Sequence, residues 1–189
     1  MARLFDRFLL AILLGVFGVP LAIAHAELSP NGLLSWEDRR PLPWAAQEEF
    51  FLLVDRSCRT ATLYRAGVWQ KTYRHVVFGR EDGQKSFEGD RRTPEGLYRI
   101  GARRHHPRWA RFLLLDYPNA TDRSANRRAV RRGQTNRGPG GEIGIHGTDD
   151  STLNWNSVDW TLGCISLLDA DVEDLYRRVP TGTPVWIRR

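Results

Sequence analysis

The sequence runs to 189 residues, 41% of them hydrophobic, with 28 Lys and Arg against 22 Asp and Glu for a formal net charge of +6, and two cysteines. That length holds one domain with a sizeable core and is short for two, while the basic balance suits anionic partners such as nucleic acid, a membrane surface or a carboxylate-rich polymer. No basic run alternates with stacking aromatics as a single-stranded nucleic-acid groove requires, and there is no P-loop, glycine-rich dinucleotide turn or internal repeat; nucleotide and nucleic-acid chemistry are set aside.

Arg3 and Arg7 precede an apolar run from Phe8 to Ala24, and Ala24-His25-Ala26 supplies the small-x-small pattern of a signal peptidase site. The expectation is a secretory signal peptide over 1–26, a mature start at Glu27, and a periplasmic or cell-envelope location. An uncleaved anchor is the alternative, since the run nears the shortest length that spans a bilayer, and membrane contact is then confined to it. Residues 27–48, with Pro30, Gly32, Pro41 and Pro43 around Trp36 and Trp44, predict an irregular leader. The domain proper is expected over 49–189.

Phe50 to Val54 is a short apolar run, Ala61 to Arg65 alternates, and Trp69 to Phe78 is rich in β-branched and aromatic residues, which together predict a three-strand meander. Residues 79–95 form a polar, glycine-containing loop of a kind that either binds a ligand or merely connects. A turn at Thr93-Pro94-Glu95-Gly96 then delivers a strand over Leu97 to Ala102. His105 and His106 suggest no metal site: neighbours on a strand face opposite ways, and no H-E-x-x-H or matching ligand set accompanies them. A strand over Arg111 to Tyr117 and an arginine-rich helix from Asn119 or Thr121 to Arg132 follow, its arginines read as a solvated face. A strand from Glu142 ends on His146. Leu168, Val172, Leu175, Tyr176 and Val179 recur at helical spacing, with Asp169 or Asp171 as the predicted N-cap, and Val185 to Ile187 closes the chain as a strand.

Two residues carry the candidate chemistry. Cys164 is a weak nucleophile while protonated, since only a small fraction of an ordinary thiol ionises near pH 7. His146 supplies a base of suitable strength if the fold brings it within reach. Gly147 and Gly163 flank the pair where backbone can turn or approach closely. Oxidising compartments also permit a Cys58–Cys164 disulfide, which abolishes this chemistry; the favoured expectation leaves Cys164 free and Cys58 as a buried or half-buried thiol on a strand.

Ile145-His146-Gly147-Thr148 and Thr161-Leu162-Gly163-Cys164-Ile165 resemble the H-G and S/T-x-G-C-I/V signatures of the L,D-transpeptidase catalytic domain (YkuD-type) family. Gly89-Asp90, Thr93-Pro94-Glu95-Gly96-Leu97-Tyr98-Arg99-Ile100 and Tyr117-Pro118-Asn119 resemble further motifs of that family, in the same order. The resemblance implies a mainly β fold, an L,D-transpeptidase-like β-sandwich or mixed sheet with a few short helices. It implies a secreted cysteine acyltransferase acting on peptidoglycan stem peptides, cleaving the diaminopimelate to D-alanine bond through a thioester on Cys164, with no cofactor or metal. In that reading His146 is the base, the Gly147 carbonyl orients it (Asp149 and Asp150 are the side-chain alternatives), and backbone N–H groups around Gly163 and Cys164 face the oxyanion. Thr93, Tyr98, Arg103, Thr148, Thr161 and Ser166 are the substrate-binding candidates.

The sequence departs from the pattern at two places. Ser166 stands where the signature has an arginine able to grip a carboxylate, so Arg103 or another cation takes that role or the substrate differs. Leu162 stands where many members carry a histidine. These departures keep open a carboxypeptidase or other hydrolase using the same Cys/His pair on stem peptides or on peptidoglycan–protein links; a separate alternative is a non-catalytic wall-binding domain in which Cys164 is disulfide-bonded or merely buried.

Overall fold

In a computed structural model, residues 43–189 are described; the expected signal peptide and most of the expected leader lie outside them. Among the described residues no helix is long and apolar enough to cross a membrane. The described chain opens with a short 3-10 turn over Pro43–Gln47. The predicted meander follows as β1 (Phe50–Asp55), β2 (Thr60–Arg65) and β3 (Val68–Tyr73), antiparallel in sequence order. The third strand is shorter than its composition suggested. After Tyr73 the chain leaves β2 and crosses the sheet, where Val77 and Gly79 bridge to Ser166 and Thr161.

Eight strands form one curled sheet, with β4 (Gly96–His106), β5 (Ala110–Leu115), β6 (Gly144–His146), β7 (Ile165–Ser166) and β8 (Pro184–Arg188) completing the order β3-β2-β1-β8-β4-β5-β6-β7. The strand β4 makes the curl possible. Its first part pairs with β8 over Gly96 to Arg99 and its remainder with β5 over Ile100 to His106, with the register slipping between Ile100 and Ala102. An irregularity of that kind bends a strand and raises its twist, so one long element belongs to both halves.

Three helices complete the fold: α1 (Ala120–Arg131), α2 (Ser151–Trp155) and α3 (Asp169–Arg178). The start of α1 is a capping box, in which the Asn119 side chain accepts from the N–H of Thr121 and Asp122 while the Asp122 carboxylate accepts from the Asn119 N–H, satisfying donors that a helix end otherwise leaves unpaired. At α3 the expected cap is corrected. Leu168 occupies the N-cap without a side-chain bond, because the Asp169 carboxylate accepts from the Thr148 N–H at 2.8 Å instead. The apolar stripe of α3 packs on β5 and β6, burying Val172 and Leu175 against a core that includes Leu113, Ile145 and Ile165. Truncating a side chain there to Ala costs about 2–5 kcal/mol.

Cys58 is also corrected: it is exposed and lies in the turn between β1 and β2. The Asp55 carboxylate accepts from the Ser57 hydroxyl and the Cys58 N–H, an Asx-type turn that reverses the chain.

Candidate active site

The short parallel pairing of β6 with β7 places the two candidate residues. Ile145 lies opposite Ile165 and His146 opposite Ser166, so Cys164, one residue before β7, falls beside Gly144. Side chains two apart on a strand share a face. Cys164 and His146 are therefore diagonal neighbours on one face of the sheet, with Cα atoms roughly 8 Å apart from standard strand spacings.

His146 is 1% exposed. Its ring stacks on Trp109 with centroids 4.2 Å apart, lies parallel to Phe112 at 5.8 Å and meets the edge of Trp160 at 5.7 Å. Phe112 arrives by register, opposite His146 on β5. Trp109 arrives from the β4–β5 hairpin, which is fastened over the histidine loop: the Trp109 carbonyl accepts from the Gly147 N–H at 3.0 Å, and Arg108 donates to Asp149 through Nε at 2.8 Å. His106 stacks on the outer face of Trp109 at 4.4 Å.

Nδ1 of His146 lies 2.6 Å from the Gly147 carbonyl oxygen. A carbonyl only accepts, so Nδ1 carries the proton and Nε2 keeps its lone pair. Removal from water pushes the imidazole down to about 4, against which the Gly147 carbonyl pulls upward, so the ring is neutral at physiological pH. The Ser166 hydroxyl, 0% exposed, donates to the same carbonyl at 3.1 Å, and Asn154 holds Ser166 through its carbonyl at 3.1 Å.

Cys164 is free and half-buried, and no disulfide joins it to Cys58. Its thiol donates to the Glu142 carbonyl at 3.4 Å. Burial pushes the thiol up to about 11; the Gly144 N–H and the Lys85 charge oppose that rise and the Glu142 carboxylate adds to it. The resting site thus holds a thiol and a neutral imidazole rather than an ion pair.

The backbone at Cys164 is fixed from below. Its carbonyl accepts from the Thr161 hydroxyl at 2.7 Å and faces the Thr93 hydroxyl at 3.5 Å, both threonines being buried. Thr93 also accepts from the Gly79 N–H. Gly163 sits at φ +135°, where an added Cβ would lie 2.8 Å from the Arg92 carbonyl. Its N–H is committed to the Thr161 hydroxyl at 3.1 Å. The Cys164 N–H donates to no acceptor among the described residues. The loop that carries Arg92 and Thr93 is held by Lys85 and Asp90, 2.8 Å apart with side chains 3% and 2% exposed. Burial alone would raise the Asp90 carboxyl, but Lys85 and the N–H groups of Ser86, Phe87 and Arg92 hold it below its usual range.

The remaining sequence candidates divide. Thr148 belongs to the histidine loop, where its hydroxyl donates to the Asp150 carbonyl and its N–H to Asp169. Tyr98 is 1% exposed and its hydroxyl donates to Asp122 at 3.0 Å, which ties α1 to β4 inside the core. Arg103 faces away from the pair: its guanidinium lies 4.2 Å over the Tyr176 ring of α3 and bonds the Tyr176 carbonyl. The neighbouring Arg104 takes the other face, 4.6 Å over Phe112. Neither Arg104 nor the enclosing Trp109, Phe112 and Trp160 stood out in the sequence, because only the β4–β5–β6 register reveals which of these side chains meet.

A curled, mainly β sheet with short helices is the architecture of L,D-transpeptidases, and the family model described as L,D-transpeptidase catalytic domain matches residues 49–187. The chain belongs to that family. Among solved structures it is similar to Pgp2, the helical cell shape determining protein of Campylobacter jejuni, at 23% identity and a TM-score of 0.55 over 74% of this chain and 47% of that one. Bd1075 of Bdellovibrio bacteriovorus follows at 20% identity and a TM-score of 0.53, over 74% and 48%. An L,D-transpeptidase of Mycobacterium smegmatis matches at 14% identity and a TM-score of 0.51, over 75% and 59%. At these identities the likeness is one of fold, and the chain spans about half the length of the first two proteins. No curated protein matches the sequence significantly.

Proposed function

We propose that this chain is a secreted, envelope-located cysteine acyltransferase acting on peptidoglycan stem peptides. The observation that carries the reading is the diagonal placement of Cys164 beside a buried His146 whose Nδ1 is held at 2.6 Å by the Gly147 carbonyl, leaving Nε2 as the base. Because both groups rest neutral, the proton passes from the sulfur to Nε2 as the sulfur attacks, not before. The sulfur adds to the carbonyl of the diaminopimelate to D-alanine amide, the C–N bond breaks, and the imidazolium returns the proton to the departing D-alanine nitrogen. A thioester on Cys164 remains. An acceptor amine resolves it to a crosslink; water resolves it to a shortened peptide, which is the carboxypeptidase alternative. The uncommitted Cys164 N–H is the oxyanion donor of this scheme, a contribution of about 3 kcal/mol in comparable sites. Gly163 contributes by its close approach to Arg92, not by its N–H.

Incubating the protein with a stem tetrapeptide, with and without an acceptor amine, and weighing both protein and products by mass spectrometry tests this. An acyl adduct on wild type but not on Cys164→Ala, with D-alanine released and a crosslinked product, is the expected result. Release without any acceptor adduct assigns hydrolysis instead, and no adduct and no release refutes the enzyme.

A further inference from the structure

We propose that Arg104 recognises a free carboxylate on the donor peptide beside the scissile bond, and that Glu142 occupies Arg104 until that carboxylate arrives. The inference rests on the acyl-transfer reading and specifies its substrate. Ser166, at the position where an arginine was looked for, is 0% exposed and spends its hydroxyl on the Gly147 carbonyl; it meets no ligand. The strand register supplies a cation from elsewhere. Arg104 lies opposite Phe112, and Phe112 opposite His146, so all three side chains share the face that Cys164 occupies.

The guanidinium carbon lies over the Phe112 ring, 4.6 Å from its centroid, and a guanidinium held by a ring face still has N–H donors to offer a planar anion. One edge contacts Glu142, Nη2 to Oε2 at 3.0 Å, with the two side chains 49% and 73% exposed. A pair so exposed contributes little to stability, so its exchange for a bidentate ligand carboxylate is close to free, and the bidentate geometry favours the ligand. Glu142 also places the exchange at the reacting atom. Its backbone, at φ +54°, presents the carbonyl that accepts the Cys164 thiol, and its carboxylate raises the thiol. A ligand carboxylate that displaces Glu142 from Arg104 therefore lies on the face that carries the sulfur, beside the residue whose carbonyl accepts the thiol.

The test uses the full chain and two stem tetrapeptides that differ only in carrying the diaminopimelate side-chain carboxylate free or as its carboxamide. Wild type is expected to prefer the free acid, and Arg104→Gln to raise KM for it by about 10- to 100-fold with little change in kcat, so that the ratio of kcat/KM for the two peptides collapses toward one. Arg104→Lys restores part of that ratio, and Glu142→Gln lowers KM for the acid. An equal fall on both peptides, or no fall on either, overturns the proposal. Calorimetric binding of the same peptides to Cys164→Ala separates this inference from the reaction itself. Arg104-dependent preference for the acid without turnover by wild type keeps the recognition and discards the chemistry; normal turnover with indifference to Arg104 does the reverse.

Discussion

The Ser166 hydroxyl donates at 3.1 Å to the Gly147 carbonyl that also receives Nδ1–H of His146. The shared oxygen makes Ser166 a positioning residue for the imidazole. Ser166→Ala is expected to remove a buried hydrogen bond worth about 1 kcal/mol, lowering Tm by roughly 2–4 °C, with a fall in kcat that exceeds any change in KM. Ser166→Arg introduces a charge at a site with no exposure and is expected to lose more than about 3 kcal/mol. Thermal melts and steady-state kinetics of the two variants check both statements.

Gly147 has no room for a side chain, since an added Cβ would lie 2.1 Å from the Asp169 carboxylate and 2.7 Å from the Trp109 carbonyl. The Trp109 contact is backbone, part of the hairpin that covers His146. Gly147→Ala is expected to displace that hairpin, lowering stability by about 1–3 kcal/mol and activity at least tenfold. A matched substitution at Gly133, where nothing lies within 4 Å of the added atom, leaves activity intact, although its φ of +69° imposes a backbone cost of its own.

Lys85 and Asp90 form a buried pair whose parts are not separately dispensable. Lys85→Met leaves the Asp90 carboxylate with its three N–H donors but no cation, and is expected to destabilise by about 3–5 kcal/mol. Replacing both residues with apolar side chains is not expected to recover that loss, because the N–H groups of Ser86, Phe87 and Arg92 then lose their acceptor at about 1–3 kcal/mol each. Denaturant titration of Lys85→Met and the double variant measures the difference. Because the loop they hold carries Arg92 against Gly163, activity is expected to fall with the single variant in parallel with stability.

Local signals carried much of the architecture. The meander, the Asn119 cap and the stripe of α3 follow from period and capping within a few residues of chain. Family motifs mark His146, Gly147, Gly163 and Cys164 in the sequence itself. Pairing between distant strands was not readable in the same way. The two-residue β7 is too short to show a period, and it is held between Val77, which bridges Ser166, and β6, which pairs with it on the other side. Arg103 and Arg104 are equivalent in sequence, and only the slip between Ile100 and Ala102 together with the β5 pairing decides which one faces Cys164. Cys58 lies off the strand because the Asp55 carboxylate accepts from the Ser57 hydroxyl and the Cys58 N–H and so turns the chain.

His146 gives the fold a pH dependence of calculable sign. Burial depresses the imidazole from 6.5 to about 4, so between those values the unfolded chain binds a proton that the folded chain refuses, and stability rises with pH. The contribution is complete above pH 6.5 and lost as pH falls through 4, a change of about 3 kcal/mol. His146→Gln removes that slope. Trp109→Ala opens the stacked face to water, and the ring is expected to titrate closer to 6.5, which NMR of the imidazole protons reads directly. Thiol alkylation probes the other partner: with Cys164 pushed up to about 11, its rate is expected to keep rising well above pH 9, and a rate already level near neutrality means that a thiolate–imidazolium pair exists before substrate binds.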